Sequence, residues 1–154
     1  MSEDTTERSR RVITEFGSRV AARDPDVWDD LVAADFVNHA AAPQGRDGLR
    51  ATYEHLRHDL GDFSVEEHHV LADGDHVAVH LTLRGHHVAS TMPLLTGVPV
   101  TGADVTWTFL HLFRIQDGRI AEHWACRDDL GLLNQLRTAR AASAAPNGDA
   151  GPRG

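Results

Sequence analysis

The sequence has little of several features that mark particular classes of protein. It contains one cysteine, Cys126, so it can form no internal disulfide, which fits a reducing compartment. No run reaches the ~18 apolar residues that a membrane span needs. The N-terminal residues are polar and lack the apolar stretch of a secretory signal. We therefore expect a soluble, cytoplasmic protein.

Basic residues are also scarce. The chain holds 15 Lys and Arg against 23 Asp and Glu, a formal net charge of -8. Nucleic acids and anionic membranes bind to basic surfaces. We therefore expect no nucleic acid partner and no membrane partner.

The remaining composition is that of an ordinary globular domain. The 154 residues are 41% hydrophobic and 25% charged, which suits one domain with its own core. We predict this domain over residues 9–136. Residues 1–8 are predicted to form a disordered N-terminus, and residues 137–154 are predicted to form a disordered C-terminal tail.

Apolar residues at helical spacing predict three helices in the first half of the chain. The first covers residues 9–22, and the third covers residues 47–60. The second begins with Asp24 as its N-cap and Pro25 in its first position. A last helical turn is predicted at residues 131–136. The apolar residues that predict the first helix are Val12, Ile13, Phe16 and Val20. Those that predict the third helix are Leu49, Tyr53, Leu56 and Leu60.

The second half of the chain alternates apolar and polar residues, which predicts strands. Residues 89–103 contain glycine and proline interruptions and are predicted to be a loop or lip. Helices followed by antiparallel strands indicate an α+β fold and not a parallel α/β fold. The predicted extended segments are 35–39, 63–71, 76–85, 105–115 and 120–127.

The Asp117-Gly118 dipeptide is the strongest hairpin signal in the sequence. A two-residue loop fixes the register of the flanking strands. Alternation then predicts one face that carries an imidazole, a carboxylate and large aromatic rings. The predicted pairs on that face are Ile115 with Ile120, Phe113 with Glu122, His111 with Trp124, Phe109 with Cys126, and Trp107 with Asp128.

Asp128 is the candidate general acid/base on this face. A carboxylate among apolar neighbours has a raised pKa, which suits proton transfer near neutral pH. Two alternatives stay open: a bulge near Asp128 would move it to the other face, or Asp128 or Asp129 caps the last helical turn. His111 either lines the pocket or is a satisfied core histidine.

The eleven histidines do not predict a metal site. Neighbouring strand residues such as His68 and His69 point to opposite faces. The sequence also contains no HExxH motif and no zinc-type spacing. We therefore predict no metal.

The chain from Gly97 onward resembles the SnoaL-like polyketide cyclase and ester cyclase family of the NTF2-like superfamily. Supporting motifs upstream are Val37-Asn38-His39 and residues 45–49. The C-terminal matching residues are 97–102, Val105-Thr106-Trp107, residues 111–114, residues 117–120, Glu122-His123-Trp124, Asp128 and residues 130–136.

This resemblance implies a cone-shaped α+β barrel, with N-terminal helices packed on a curved antiparallel sheet and a pocket for a small aromatic or polyketide-like molecule. It implies that Asp128 is the acid/base of an aldol ring closure, with His111 nearby, and that no cofactor takes part. Thr91-Met92-Pro93-Leu94 departs from the small polar stretch typical of the family. The candidate substrate-binding residues are Asn38, His39, Tyr53, Trp107, Phe109 and Trp124.

Three hypotheses follow. The first is a cofactor-independent polyketide ester cyclase that abstracts a proton next to a carbonyl. The second is another chemistry in the same pocket, such as epoxide hydrolysis or hydroxylation. The third is a non-catalytic small-molecule-binding protein. Under each hypothesis we expect a homodimer or higher homo-oligomer formed through the outer sheet face, where Leu110, Leu112, Ala121 and Ala125 are predicted to lie.

Overall fold

A computed structural model describes residues 4–41 and 43–145 of the chain. The predictions of disorder at residues 1–3 and 146–154 lie outside the described residues. The helices are α1 (Thr5–Ala21), α2 (Val27–Leu31), α3 (Gly45–Leu60) and α4 (Asp129–Ala144). The strands are β1 (Val32–Asn38), β2 (Ser64–Asp73), β3 (His76–His86), β4 (Asp104–Gln116) and β5 (Arg119–Arg127).

The helices pack on a curved five-stranded sheet, which confirms the α+β class. The strand order is β1-β5-β4-β3-β2. The sheet is mixed rather than wholly antiparallel, because β1 runs parallel to β5. A tight hairpin forces an antiparallel pair, whereas β1 and β5 are separated by most of the chain and can pair in either direction.

Several helix boundaries differ from the sequence prediction. Helix α1 begins at Thr5, so part of the expected N-terminal disorder is helical. Helix α2 begins at Val27, because the Asp24 carboxylate accepts a hydrogen bond from the Asp26 backbone N–H at 3.0 Å and holds residues 24–26 in a turn. Helix α4 extends to Ala144 instead of ending after one turn. Its extension over the expected tail is rich in alanine, which has the highest helix propensity.

The Asp117-Gly118 hairpin forms as predicted, with positive φ angles of 51° and 72° at its two central residues. The pairs of Gln116 with Arg119 and Ile115 with Ile120 are also as predicted. The register then shifts by one residue, because Arg114 pairs with Glu122 and leaves Ala121 as a bulge.

The bulge overturns the predicted faces of β5. A shift of one residue moves every later side chain to the opposite face. Phe113 pairs with His123, and His111 pairs with Ala125. His123 and Ala125 therefore share the concave face with His111. Trp124 and Cys126 turn to the outer face, and the predicted partnership of His111 with Trp124 is wrong.

The concave face of the sheet carries two apolar clusters. The first lies beneath α1 and α2 and includes Phe16, Trp28 and Phe113. The second lies beneath α4 and includes Trp107 and Phe109. Residues 89–103, predicted to be a loop, carry a short 3-10 helix at Pro93–Leu95.

Candidate active site

The segment after β3 packs into the second apolar cluster and is hydrogen-bonded to α3. Leu95 is fully buried and Met92 is 7% exposed, and both belong to the second apolar cluster. The buried carboxylate of Asp59 accepts hydrogen bonds from the backbone N–H groups of Thr91 at 2.8 Å and Met92 at 2.7 Å. This segment is therefore anchored to α3, and none of its residues lines the open cavity.

The main cavity opens between α1, α3 and β2 and extends to the concave face of the sheet. Its volume is about 570 Å³, within the range of small-molecule sites. Its wall is largely apolar, and the polar groups that reach it include His111, Tyr53 and Arg57. The apolar lining includes Ile13, Phe16, Val20, Val79, Leu81 and Phe113.

Three side chains, those of Asn38, His123 and His111, form a hydrogen-bonded series that ends at this cavity. The Nδ1 atom of His111 lies 2.7 Å from Nε2 of His123. The Nδ1 atom of His123 lies 3.2 Å from Oδ1 of Asn38. Asn38 is the last residue of β1, and His123 stands opposite it in the parallel pair. The β1–β5 pairing thus positions Asn38, the member of the series that is farthest from the cavity.

The bonding pattern fixes which nitrogens carry protons. Oδ1 of Asn38 also accepts from the Ala40 backbone N–H at 3.0 Å, which identifies this atom as the amide oxygen. Nδ1 of His123 must then donate, so Nε2 of a neutral His123 accepts from Nδ1 of His111. A neutral His111 is left with the lone pair on its Nε2 atom.

Both imidazoles are held neutral. Burial, with a smaller effect of the Arg127 charge, lowers the pKa of His111 to about 4. Burial and the neighbouring His111, Arg127 and His39 lower the pKa of His123 to about 3. At neutral pH the pair is therefore uncharged, which agrees with the proton positions that the hydrogen bonds require.

The Nε2 atom of His111 faces the cavity. No buried side-chain nitrogen or oxygen in the described part of the chain lacks a hydrogen-bond partner. Nε2 of His111 forms no hydrogen bond with a described residue, so it is accessible from the cavity that His111 lines. The ring is held between Phe109 and Phe113, whose centroids lie 5.0 and 5.6 Å away. The result is a fixed, uncharged proton acceptor in an apolar wall.

Tyr53 supplies a hydroxyl group to the same cavity. Its ring packs against Phe16 and Trp28 at 6.1 and 5.3 Å between centroids. Burial raises the pKa of the phenol to about 12, although the nearby Arg57 charge acts in the other direction. The hydroxyl is therefore a neutral donor at physiological pH. An acceptor nitrogen and a donor hydroxyl in one apolar cavity can handle a carbonyl compound and its enolate.

Asp128 lies outside this cavity. Its side chain is exposed, and its carboxylate accepts a hydrogen bond from the Gly131 backbone N–H at 2.9 Å as the N-cap of α4. The register argument that placed Asp128 beside His111 is wrong, because the bulge at Ala121 shifts β5. The helix-cap alternative describes the observed geometry.

Two of the predicted binding residues, His39 and Trp124, lie on the outer side of the sheet. Their rings stack with centroids 4.6 Å apart and 8° between the planes. His39 Nε2 also lies 2.8 Å from a carboxylate oxygen of Glu122. Trp107 and Phe109 belong to the second apolar cluster, and Phe109 reaches the cavity only through its contact with His111. Of the predicted residues, the structure brings together His111, Tyr53 and, through His123, Asn38.

Sequence reasoning missed His123 and Arg57. The bulge that turns His123 inward left no signal in the sequence, and a uniform register places this residue outside. Arg57 did leave a signal, because it follows Tyr53 by four residues on a helix and must share its face. Among residues 4–41 and 43–145, no three His, Cys, Asp or Glu side chains group as metal ligands, and no helix is long and apolar enough to cross a membrane.

A curved α+β cone with an apolar cavity between its helices and its sheet defines the class of this protein. The chain belongs to the family described as SnoaL-like polyketide cyclase, whose sequence profile matches residues 11–136. The nogalonic acid methyl ester cyclase of Streptomyces nogalater is 32% identical over 116 residues, 72% of this chain and 84% of that protein. The aklanonic acid methyl ester cyclase DnrD of Streptomyces peucetius is 31% identical over 101 residues, 65% of this chain and 67% of that protein.

The fold is also shared with solved structures. TsrD from Streptomyces laurentii superposes with a TM-score of 0.73 and covers 84% of this chain and 95% of its own. At 24% identity this likeness shows the fold alone. The cone expected from the sequence is thereby confirmed.

Proposed function

We propose that this protein is a cofactor-independent cyclase that closes a ring in a polyketide-like carbonyl compound. The observation that carries this proposal is the fixed lone pair of His111 Nε2 in the cavity. Two relatives are named as cyclases of polyketide acid methyl esters. A flat polyketide of related size is therefore the substrate class to test.

The reaction begins with proton abstraction. His111 Nε2 takes a proton from a carbon next to a carbonyl group, and the Tyr53 hydroxyl donates a hydrogen bond to the enolate oxygen. A base of low pKa suffices when two carbonyls acidify the C–H bond. The new imidazolium is also stabilised by the enolate charge beside it.

Ring closure follows within the same molecule. The enolate carbon attacks a second carbonyl and forms the new C–C bond. The imidazolium then returns the proton to the alkoxide. Substrate and product have equal mass, and no oxidant, reductant or second substrate is consumed.

The test is to follow the conversion of tricyclic polyketide esters and free acids to products of unchanged mass. His111→Gln should lower turnover by about 100-fold or more, as expected for loss of a general base. Asp128→Asn is the matched control, since asparagine also caps helices, and should keep turnover within about twofold. Loss of turnover in Asp128→Asn alone would restore the acid/base role that the resemblance implies for Asp128 and would refute our assignment.

A non-catalytic binding protein is the second candidate. The depressed pKa of His111 favours it, because a weak base abstracts only acidic protons. Tight binding of the panel without turnover would establish this candidate.

We propose further that the protein forms a homodimer through the outer face of its sheet. Leu110 is 55% exposed and Leu112 is 37% exposed on β4. The register places Ala125 on the concave face, contrary to the sequence prediction, and puts Trp124 on the outer face. Exposed apolar side chains on one sheet face are typical of contact surfaces. The cytoplasmic location stays a prediction.

A further inference from the structure

Arg57 differs from most described arginines because its charge has no acidic partner. Its Nη2 atom donates to the Val20 carbonyl oxygen at 2.9 Å, and no carboxylate of a described residue lies within ion-pair distance. Among the described residues, ion pairs are formed by arginines that include Arg10, Arg19, Arg23, Arg46, Arg50, Arg84, Arg114 and Arg127.

The position of this unpaired charge is informative. Arg57 is partly buried and lines the main cavity. Acidic side chains are abundant in the chain, with 23 Asp and Glu against 15 Lys and Arg. A partly desolvated cation without a counter-charge is costly unless a ligand supplies one. The lack of a carboxylate partner for Arg57 is therefore a property of this cavity and does not follow from a general scarcity of acidic residues.

Arg57 and Tyr53 can act on one ligand. They lie four residues apart on α3 and face the same side of the helix. The bond to Val20 orients the guanidinium and uses one Nη2 hydrogen, so the second Nη2 hydrogen and the N–H beside it, on Nε or on Nη1, are left for a ligand. Two parallel N–H donors match the two oxygens of a carboxylate. The hydroxyl of Tyr53 is left to donate to the carbonyl or enolate oxygen of the same ligand.

We propose that Arg57 binds a carboxylate of the ligand, so that the cavity selects flat polyketide-like free acids over their methyl esters. That such an acid is also the substrate rests on the proposed cyclase function, whereas its preferential binding does not. The carboxylate at Arg57 would fix the orientation of the ring system and present its acidic carbon to His111.

Other charged groups at the cavity set the strength of this preference. Arg23 also lines the cavity, but it is paired with Asp62. Glu67 is an exposed carboxylate on β2 at the same cavity and repels an anionic ligand. The net selectivity therefore depends on Arg57, with Glu67 acting against it.

The test is a binding measurement with a matched pair of probes, anthraquinone-2-carboxylate and its methyl ester, by isothermal titration calorimetry at pH 7.5. The wild type should bind the acid about tenfold more tightly than the ester. Arg57→Gln should weaken acid binding by roughly 10- to 100-fold, the effect of losing charged hydrogen bonds, and should leave the ester within about twofold. Ester binding thus reports whether the variant is folded.

Two variants sharpen the result. Arg84→Gln, at an arginine that is paired with Glu66 and does not line this cavity, should change acid binding by no more than about threefold, and Glu67→Gln should tighten it. Equal affinity for acid and ester, no affinity for either, or equal losses in Arg57→Gln would overturn the proposal. Selective acid binding without turnover would refute the cyclase function and leave the Arg57 assignment intact.

Discussion

The Nδ1 atom of His111 and the Nε2 atom of His123 lie 2.7 Å apart on neighbouring strands. This contact exists because β5 holds one residue more than β4 beyond the pair of Ile115 and Ile120. Without Ala121 as the extra residue, His123 would face outward and His111 would lose its hydrogen-bond acceptor. A single bulge therefore decides which nitrogen of His111 can accept a proton.

The neutral state of His111 predicts an unusual pH profile. The pKa of this imidazole is about 4 in the free protein, so its lone pair is available throughout the neutral range. We expect kcat/KM to stay level from neutral pH down to about pH 5.5 and to fall with a midpoint near pH 4. Initial rates across pH 3.5–8 measure this, and a midpoint near 6.5 would contradict the buried environment assigned to His111.

Folding stability should depend on pH through the same pair. The pKa values of His111 and His123 are lowered from 6.5 to about 4 and about 3. Between those values and pH 6.5 the unfolded chain binds more protons than the folded chain. The free energy of unfolding should therefore be highest above about pH 7 and fall as the pH drops through this window.

Urea midpoints between pH 7.5 and 4.5 test this dependence. A double variant, His111→Phe with His123→Phe, should show a shallower slope of stability against pH, whatever its absolute stability. The slope should not vanish, because burial also lowers the pKa of His87 and gives the same sign. An unchanged slope in the double variant would contradict the assignment.

Asn38→Asp should move the proton of His111 from Nδ1 to Nε2. A carboxylate beside Nδ1 of His123 stabilises the imidazolium form, which then donates from Nε2 to Nδ1 of His111. His111 must then carry its proton on Nε2 and can no longer act as the base. We expect a loss of about 100-fold or more in turnover at pH 7 with the fold retained.

Nitrogen-15 NMR of labelled histidine reads the tautomer of His111 directly. The wild type should show a protonated Nδ1, and Asn38→Asp should show a protonated Nε2. Full activity in Asn38→Asp, together with an unchanged tautomer, would mean that Asn38 does not control the pair.

The proposed dimer contact is tested at Leu110. This side chain is 55% exposed on the outer face and has no part in the cavity. Leu110→Asp should convert a dimer to a monomer in light scattering, because a buried unpaired carboxylate is costly. Thr108→Asp, at the same face but at a less apolar position, is the comparison. A wild type that is already monomeric would refute the contact.

Much of the fold was predictable from the sequence because it rests on local patterns. The stripe of Phe16 and Val20 predicted α1, and Asp117-Gly118 predicted the hairpin and its first two residue pairs. The bulge at Ala121 depends on how the whole sheet curves, and alternation in the sequence carries no trace of it. His111 could therefore be predicted as a site residue from the sequence. The place of its partner His123 could not, because it depends on the register of β4 and β5 in the folded sheet.

The parallel pairing of β1 with β5 also bears on how the chain folds. Asn38 and His123 are 85 positions apart, yet their contact completes the proton arrangement at His111. Contacts of long sequence separation are slow to form, because the chain must first close a large loop. The hairpin of β4 and β5 can assemble locally, but β1 must travel from the opposite end of the domain to meet it. Catalytic competence should therefore be among the last properties acquired during refolding, after the secondary structure has recovered.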